Sequence, residues 1–194
     1  MTKQQTWKLI CSAFHKRGGL KYMISEPITQ EQHALQSYMW MKTFSQNHHL
    51  RVAALLHDIG HLLDRPVDPS TGVNDHHEIV GASWLRAHHF PKSVYVPVEL
   101  HVQAKRFRCK NIVGYKSSLS KGSILSLDLQ GEEMTEDEEN SFLAHPYSQE
   151  ALLLRDADDS GKEMGVHDLP ELESLEDDVM DSVGSNDPES RPTE

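Results

Sequence analysis

The sequence predicts an all-α protein on three observations. Apolar residues recur at helical spacing in several segments, few runs alternate with period two, and no segment repeats another. Glu31 to Phe44, "EQHALQSYMWMKTF", sets Leu35, Tyr38, Met39 and Met41 mostly on one face among good helix formers. Arg51 is expected to open a second helix that runs without a break through "RVAALLHDIGHLL". A third is expected from Asn74 to His89, with Asn74 or Asp75 as its N-cap. A fourth follows Pro97 through "VELHVQAKRF", where proline is tolerated in the first turn.

From Leu119, "LSKGSILSLDLQG" reads as a turn-bearing stretch, and the acidic "GEEMTEDEENSF" after it reads as a helix start. The last expected helix is Ser148 to Lys162, "SQEALLLRDADDSGK". Beyond it the chain is rich in acids, serine and proline, with too few spaced apolar residues to bury a face. The expected organisation is one domain over residues 1–162 and a disordered acidic tail over 163–194. Trp7, Trp40 and Trp84 are read as core or helix-contact residues, and the pairs His48-His49 and His88-His89 as surface.

The net charge of −11 sits at one end: from Glu163 onward there are eleven acidic residues against Arg191 alone. The body is nearly neutral, which argues against a nucleic-acid partner held by bulk electrostatics. Cys11 and Cys109 stand far apart with no metal-binding or redox spacing, which favours a reducing compartment. No apolar run approaches the roughly 18 to 20 residues of a membrane span, and the N-terminus has no signal-like apolar stretch. The expectation is a cytoplasmic protein with no membrane partner.

One stretch resists a purely structural reading. "AALLHDIGHLLD" puts His57, Asp58 and His61 into an otherwise apolar helix, where an unpaired buried charge costs several kcal/mol by order of magnitude. Alone, a His-Asp pair is better read as a capped or hydrogen-bonded core pair. But His33, His77 and His101 each fall in a separate expected helix, and Asp158 falls in the last. Such a set can converge in a helix bundle, and with no thiolate nearby it suits iron, manganese or zinc.

The order His33, His57, Asp58, Asp158 resembles the H…HD…D pattern of the HD-domain superfamily of metal-dependent phosphohydrolases, and His77 and His101 match its two-metal subgroup. More closely, "EPITQEQHALQ", "LLHDIGHLL", "HEIVGASWL", "HVQAK", "LSKGSILSLDLQG" and "LLLRDADDSGK" resemble the mixed-valent di-iron HD oxygenases that cleave carbon–phosphorus bonds. The resemblance spans about residues 18 to 162. It implies an HD-domain helical bundle holding two iron ions, Fe(II)/Fe(III), with O2 as co-substrate and a small organophosphonate as substrate. One iron would take His33, His57, Asp58 and Asp158; the other would take His77, His101 and the same Asp58 as a bridge. Six side chains with one shared leave open positions, as a catalytic centre requires. His76 competes with His77, and the family pattern selects the histidine directly before Glu78.

By the same resemblance, Lys105, Arg155, Ser123, Ser126, Gln32 and His61 would surround the phosphonate and Glu26 would pair with a substrate ammonium group. Lys105 is i+4 from His101 and Arg155 is i−3 from Asp158, so each shares a helix face with a ligand. The implied reaction is oxidative cleavage of a 1-hydroxy-2-aminoalkylphosphonate to phosphate and an amino acid, glycine or an N-methylated analogue.

The chain departs from the family at three points. The family's tyrosine lies three residues before the glutamate, whereas Tyr22 lies four before Glu26, with Met23 at the tyrosine position. Ser25 replaces a glycine, and Ala157 stands where a tryptophan often precedes the ligand aspartate. Either a local bulge carries Tyr22 to the oxygen-binding iron or that iron is gated in another way. Two rival readings remain: an HD phosphohydrolase acting on a nucleotide or other phosphomonoester through a metal-bound water, and a degenerate HD fold using its acidic tail as an interaction surface.

Overall fold

In the computed structural model, residues 2–23, 26–63, 72–74 and 76–186 are described, and the side chains of Met23 and Glu26 fall outside that description. Helices dominate: α1 (Lys3–Arg17), α2 (Gln30–Phe44), α3 (His48–Leu56), α4 (Ile59–Leu63), α5 (His77–Ala87), α6 (Lys92–Asn111), α7 (Tyr115–Ser118), α8 (Lys121–Leu129), α9 (Glu136–Leu143), α10 (Ser148–Ser160) and α11 (Glu176–Ser182). A two-stranded antiparallel ribbon, β1 (Lys21–Met23) and β2 (Glu26–Thr29), joins α1 to α2. The all-α class holds.

The bundle centres on α6, which packs against α3, α5 and α10, while α2 packs against α3 and α10. Trp7, Ile10 and Phe14 of α1, Tyr38 and Met41 of α2, Val52 to Leu56 of α3, and Val94 and Val98 of α6 share one buried cluster. Several ends carry local signals. Thr2 and Thr29 each close a capping box, with Gln5 and Gln32 respectively, and Thr135 does so with Glu138 at α9.

The structure corrects several sequence expectations. The helix predicted from Arg51 starts at His48 and breaks into α3 and α4, with His57 and Asp58 in the turn between them. Apolar periodicity cannot register that break, because the residues on both sides remain buried. The third helix begins at His77; its N-cap is His76 in the left-handed region, and Asn74 instead accepts from the His76 N–H. Asp75 lies outside the described residues. The fourth helix starts a turn earlier than expected, at Lys92, and carries Pro97 inside it. "LSKGSILSLDLQG" forms α8, capped by Ser120, rather than a turn. His49 and His88 are buried, His49 between the hydroxyls of Ser93 and Ser185.

The largest correction concerns the acidic tail. Residues 163–186 are ordered and include a 3-10 turn (Leu172–Leu175) followed by α11. Leu172, Leu175, Val179 and Val183 enter the main core, while the intervening acids face outward or pair. Asp178 accepts from the Tyr38 hydroxyl at 2.6 Å and pairs with Arg51. Four apolar side chains in a strongly acidic stretch suffice when the rest of the bundle supplies the surface. Residues 187–194 lie outside the described residues.

Candidate metal centre

The break between α3 and α4 presents His57 and Asp58 at a chain turn pointing into the bundle, while α4 closes down on α5. Gly60 is what permits that approach: a Cβ there would lie 2.1 Å from the His77 carbonyl oxygen. Gly81 sits opposite, 3.2 Å from the Gly60 nitrogen by the same measure. The result is that His61 and His77 stack, centroids 4.1 Å apart. The left-handed backbone at His76 leaves that side chain exposed and turns His77 inward.

Two histidine pairs face one aspartate. His33 and His57 bring their Nε2 atoms to 3.0 Å, each 3.6 Å from Asp58 Oδ2. His77 and His101 bring theirs to 3.3 Å, at 3.4 and 3.7 Å from Asp58 Oδ1. Asp158 approaches the first pair, with Oδ1 3.5 Å from His33 Nε2 and 3.9 Å from His57 Nε2. All six side chains are buried.

The hydrogen bonds on the far nitrogens decide what these rings can do. Nδ1 of His33 donates to the Gly161 carbonyl at 2.8 Å, Nδ1 of His57 to Ala54 at 2.8 Å, and Nδ1 of His101 to Val98 at 2.7 Å. A carbonyl only accepts, so in these three rings the proton sits on Nδ1 and the Nε2 lone pair points to the centre. Burial, and then the neighbouring His57, hold the His33 imidazolium down to about 3; burial, and then His77, lower His101 likewise. Bare nitrogens 3.0 Å apart beside carboxylates fit metal cations, and the two oxygens of Asp58 divide between the pairs as a bridge would. Two groups of donors, His33-His57-Asp58 and Asp58-His77-His101, are each close enough to hold one ion.

The carboxylates stay ionised. Burial opposes ionisation of Asp58, but attraction to the surrounding histidines, His57 and His77 foremost, outweighs it wherever a ring carries a proton and holds the carboxyl well below the usual range. Burial likewise opposes ionisation of Asp158, and Arg155 and Lys162 overcome it. Arg155 reaches Asp158 Oδ2 at 2.6 Å, pairs with Asp159, and donates from Nε to the Tyr115 hydroxyl at 2.9 Å.

A cavity of about 30 Å³ opens beside the donors, lined by His61, Lys105, Ser123, Ser126, Arg155 and Tyr22 among others. Lys105 is buried and donates to Ser126 Oγ at 2.9 Å; burial, then Arg155, bring its ammonium down to about 7. Tyr22 stands where the ribbon register slips, Lys21 opposite Thr29 but Met23 opposite Glu26, and its ring lies 4.0 Å from that of His33. Gln32 is not brought to the cavity: it is exposed, and its amide oxygen caps the Thr29 N–H. Glu26 falls in β2 with its side chain outside the description.

Asn74, Gln130 and Lys162 were missed by sequence reasoning. Asn74 and Gln130 line the cavity from a loop and a helix C-cap, where no periodicity marks them. Lys162 touches Asp158 and was findable, since it lies i+4 from that ligand.

A helical bundle that folds a His-Asp dipeptide onto histidines from three other helices is an HD-type metal protein, and the chain belongs to the HD domain family, which it matches over residues 31–160. It is 40% identical over 157 residues to the hydroxymethylphosphonate dioxygenase of Gimesia maris, covering 79% of this chain and 77% of that one. It is 34% identical to the [1-hydroxy-2-(trimethylamino)ethyl]phosphonate dioxygenase (glycine-betaine-forming) of Leisingera caerulea, over 80% of this chain and 79% of that one. An uncharacterized protein of Acanthamoeba polyphaga mimivirus is 32% identical over 81% of this chain and 73% of its own length. The chain is thus a member of the HD-domain phosphonate oxygenase family, an oxygen-dependent enzyme. Among the described residues no helix is long and apolar enough to cross a membrane.

Proposed function

We propose that the protein oxidatively cleaves the carbon–phosphorus bond of a small 1-hydroxyphosphonate, with a 1-hydroxy-2-aminoalkylphosphonate as substrate and glycine or an N-methylated analogue as product. The observation that carries this reading is the division of four histidines into two pairs around the two oxygens of Asp58, with the Lys105–Ser126 pair beside them.

The ligand set is His33, His57, Asp58 and Asp158 for one ion, and His77, His101 and Asp58 for the other. Iron in mixed valence would supply the activation of O2 and the binding of the substrate oxygens. The balance closes without an external reductant: R–CH(OH)–PO3²⁻ and O2 give R–COO⁻, HPO4²⁻ and H⁺. The carbon rises from alcohol to carboxylate level as the C–P bond breaks, and both atoms of O2 end in the products.

The chain's own groups orient the substrate. Lys105 and Ser126 offer donors to the phosphonate oxygens, and His61, stacked on His77, lies at the cavity edge. Arg155 holds Asp158 in place and has two N–H groups beyond the three already engaged. Glu26 is assigned to the substrate ammonium group and Tyr22 to covering the first metal position until substrate arrives.

The test is phosphate release from iron-loaded protein under air and under nitrogen, with 2-amino-1-hydroxyethylphosphonate, its trimethylammonium analogue and hydroxymethylphosphonate compared. Release only with oxygen supports the reading, and the preferred substrate fixes the side arm. Release from a phosphomonoester under nitrogen would instead establish a hydrolase.

A further inference from the structure

Besides Lys105 and Arg155, the phosphonate arm has a cation that the assignments above leave unused. Ser123 and Ser126 lie one turn apart on α8, so both hydroxyls face the same side. Lys105 reaches Ser126 from α6, while Lys162, just beyond α10, reaches Ser123 Oγ at 3.3 Å. The two contacts form a pair of lysine–serine clamps along one helix face; Lys105 and both serines line the cavity, and Lys162 reaches it through Ser123.

Lys162 is withdrawn from water, its side chain 12% exposed. Its charge is paired with Asp158, whose Oδ1 lies 2.8 Å from Nζ while Arg155 takes the other oxygen. With Ser123 Oγ at 3.3 Å, the ammonium keeps one of its three N–H groups for another acceptor. Asp159 is 3.9 Å away and is itself engaged by Arg155 and Tyr115. The ammonium also stands 5.5 Å from the ring centroid of Tyr22, which lines the cavity together with Ser123. An ammonium so placed has one N–H donor to spare and is desolvated already, which is what recognition of an anion requires.

We propose that Lys162, with Ser123, is the second cationic arm of the anion site, so that a phosphonate or phosphate dianion is held between two lysine–serine pairs. The proposal rests on the phosphonate reading only for the charge and shape of the ligand, which the phosphate product shares.

Inorganic phosphate is the probe, titrated by calorimetry into the iron-loaded wild type, Lys162→Met and Lys162→Arg, with iron content measured on each sample. The expected result is a loss of phosphate affinity of roughly tenfold to a hundredfold in Lys162→Met, the scale of one charge-assisted hydrogen bond. Iron content should stay at the wild-type level, and Lys162→Arg should recover most of the affinity. Unchanged phosphate affinity in Lys162→Met overturns the proposal, as does a wild type that binds no phosphate. So does a matching loss of iron, since Lys162 would then be a brace for Asp158 alone. Failure of the oxygenase reading shows separately, as wild-type turnover that ignores oxygen.

Discussion

His33 and His57 face one another through Nε2 atoms 3.0 Å apart, each ring pinned from behind by a carbonyl on Nδ1. Two lone pairs so placed repel unless a cation lies between them. Chelation should therefore lower the thermal unfolding midpoint, and ferrous iron should restore it. At an ion concentration of 100 Kd, binding stabilises by about 2.7 kcal/mol. Equal midpoints with and without iron would count against a metal at this pair.

Asp58 stands 3.6 Å from each ring of one histidine pair through Oδ2 and 3.4 to 3.7 Å from the other through Oδ1. On the proposed di-iron assignment Asp58→Ala removes the bridge, so the coupled electron paramagnetic resonance signal of the iron-loaded protein should disappear. Activity should fall by at least two orders of magnitude, roughly 3 kcal/mol or more of transition-state stabilisation. Persistence of a coupled signal would show that Asp58 does not bridge.

Acid should destabilise the metal-free protein in a defined window. His33 titrates near 6.5 in an unfolded chain but near 3 when folded, because burial excludes the imidazolium. Between those values the unfolded chain holds more protons, so stability rises with pH; it is fully present above 6.5 and is lost as pH falls toward 3. His101 is shifted in the same direction. Denaturant midpoints measured across this window should fall steadily with acidification, and a flat profile would contradict the buried neutral rings.

Gly60 is a point where packing and metal binding meet. Gly60→Ala puts a methyl group 2.1 Å from the His77 carbonyl oxygen, a contact that α4 and α5 can relieve only by moving apart. The expected cost is roughly 1–3 kcal/mol, with reduced iron content because His77 shifts with its backbone. Iron analysis beside a melting curve checks both; full iron content would mean the helices absorb the methyl elsewhere.

The acidic segment is predicted to be structural. Leu172→Ala should cost roughly 2–5 kcal/mol, as for any buried leucine, although it lies in a stretch whose composition suggests disorder. A melting temperature equal to wild type would return the segment to the role of a solubilising tail.

The all-α class and the regions of α2, α5, α6 and α10 were legible because their apolar spacing is regular, whereas α1, which sends Trp7, Ile10 and Phe14 into the core, was not read from the sequence. His33, His77, His101 and Asp158 were singled out by the family resemblance, whereas His57 and Asp58 were legible as polar residues inside an apolar run. The turn at His57-Asp58 was not, since both flanks are equally buried and only the close approach of Gly60 to His77 explains the bend. Nor was the docking of residues 172–183, where four apolar side chains among acids gain their energy from a surface built by α1 and α3. Tyr115 and Asp159 brace Arg155 across 40 and 4 residues. Only the second separation is a helical spacing.

The pinning of the rings also sets an order of assembly. His57 and His101 take their tautomers from carbonyls three residues back, so each is prepared as soon as its own helical turn forms. His33 depends on Gly161, 128 residues later, whose own Cβ position is filled by Ser37 of α2. Half of the first donor pair is thus prepared locally, and the other half waits until the end of α10 lies on α2. Loosening that one junction would remove the carbonyl behind His33 without touching those that hold His57 and His101.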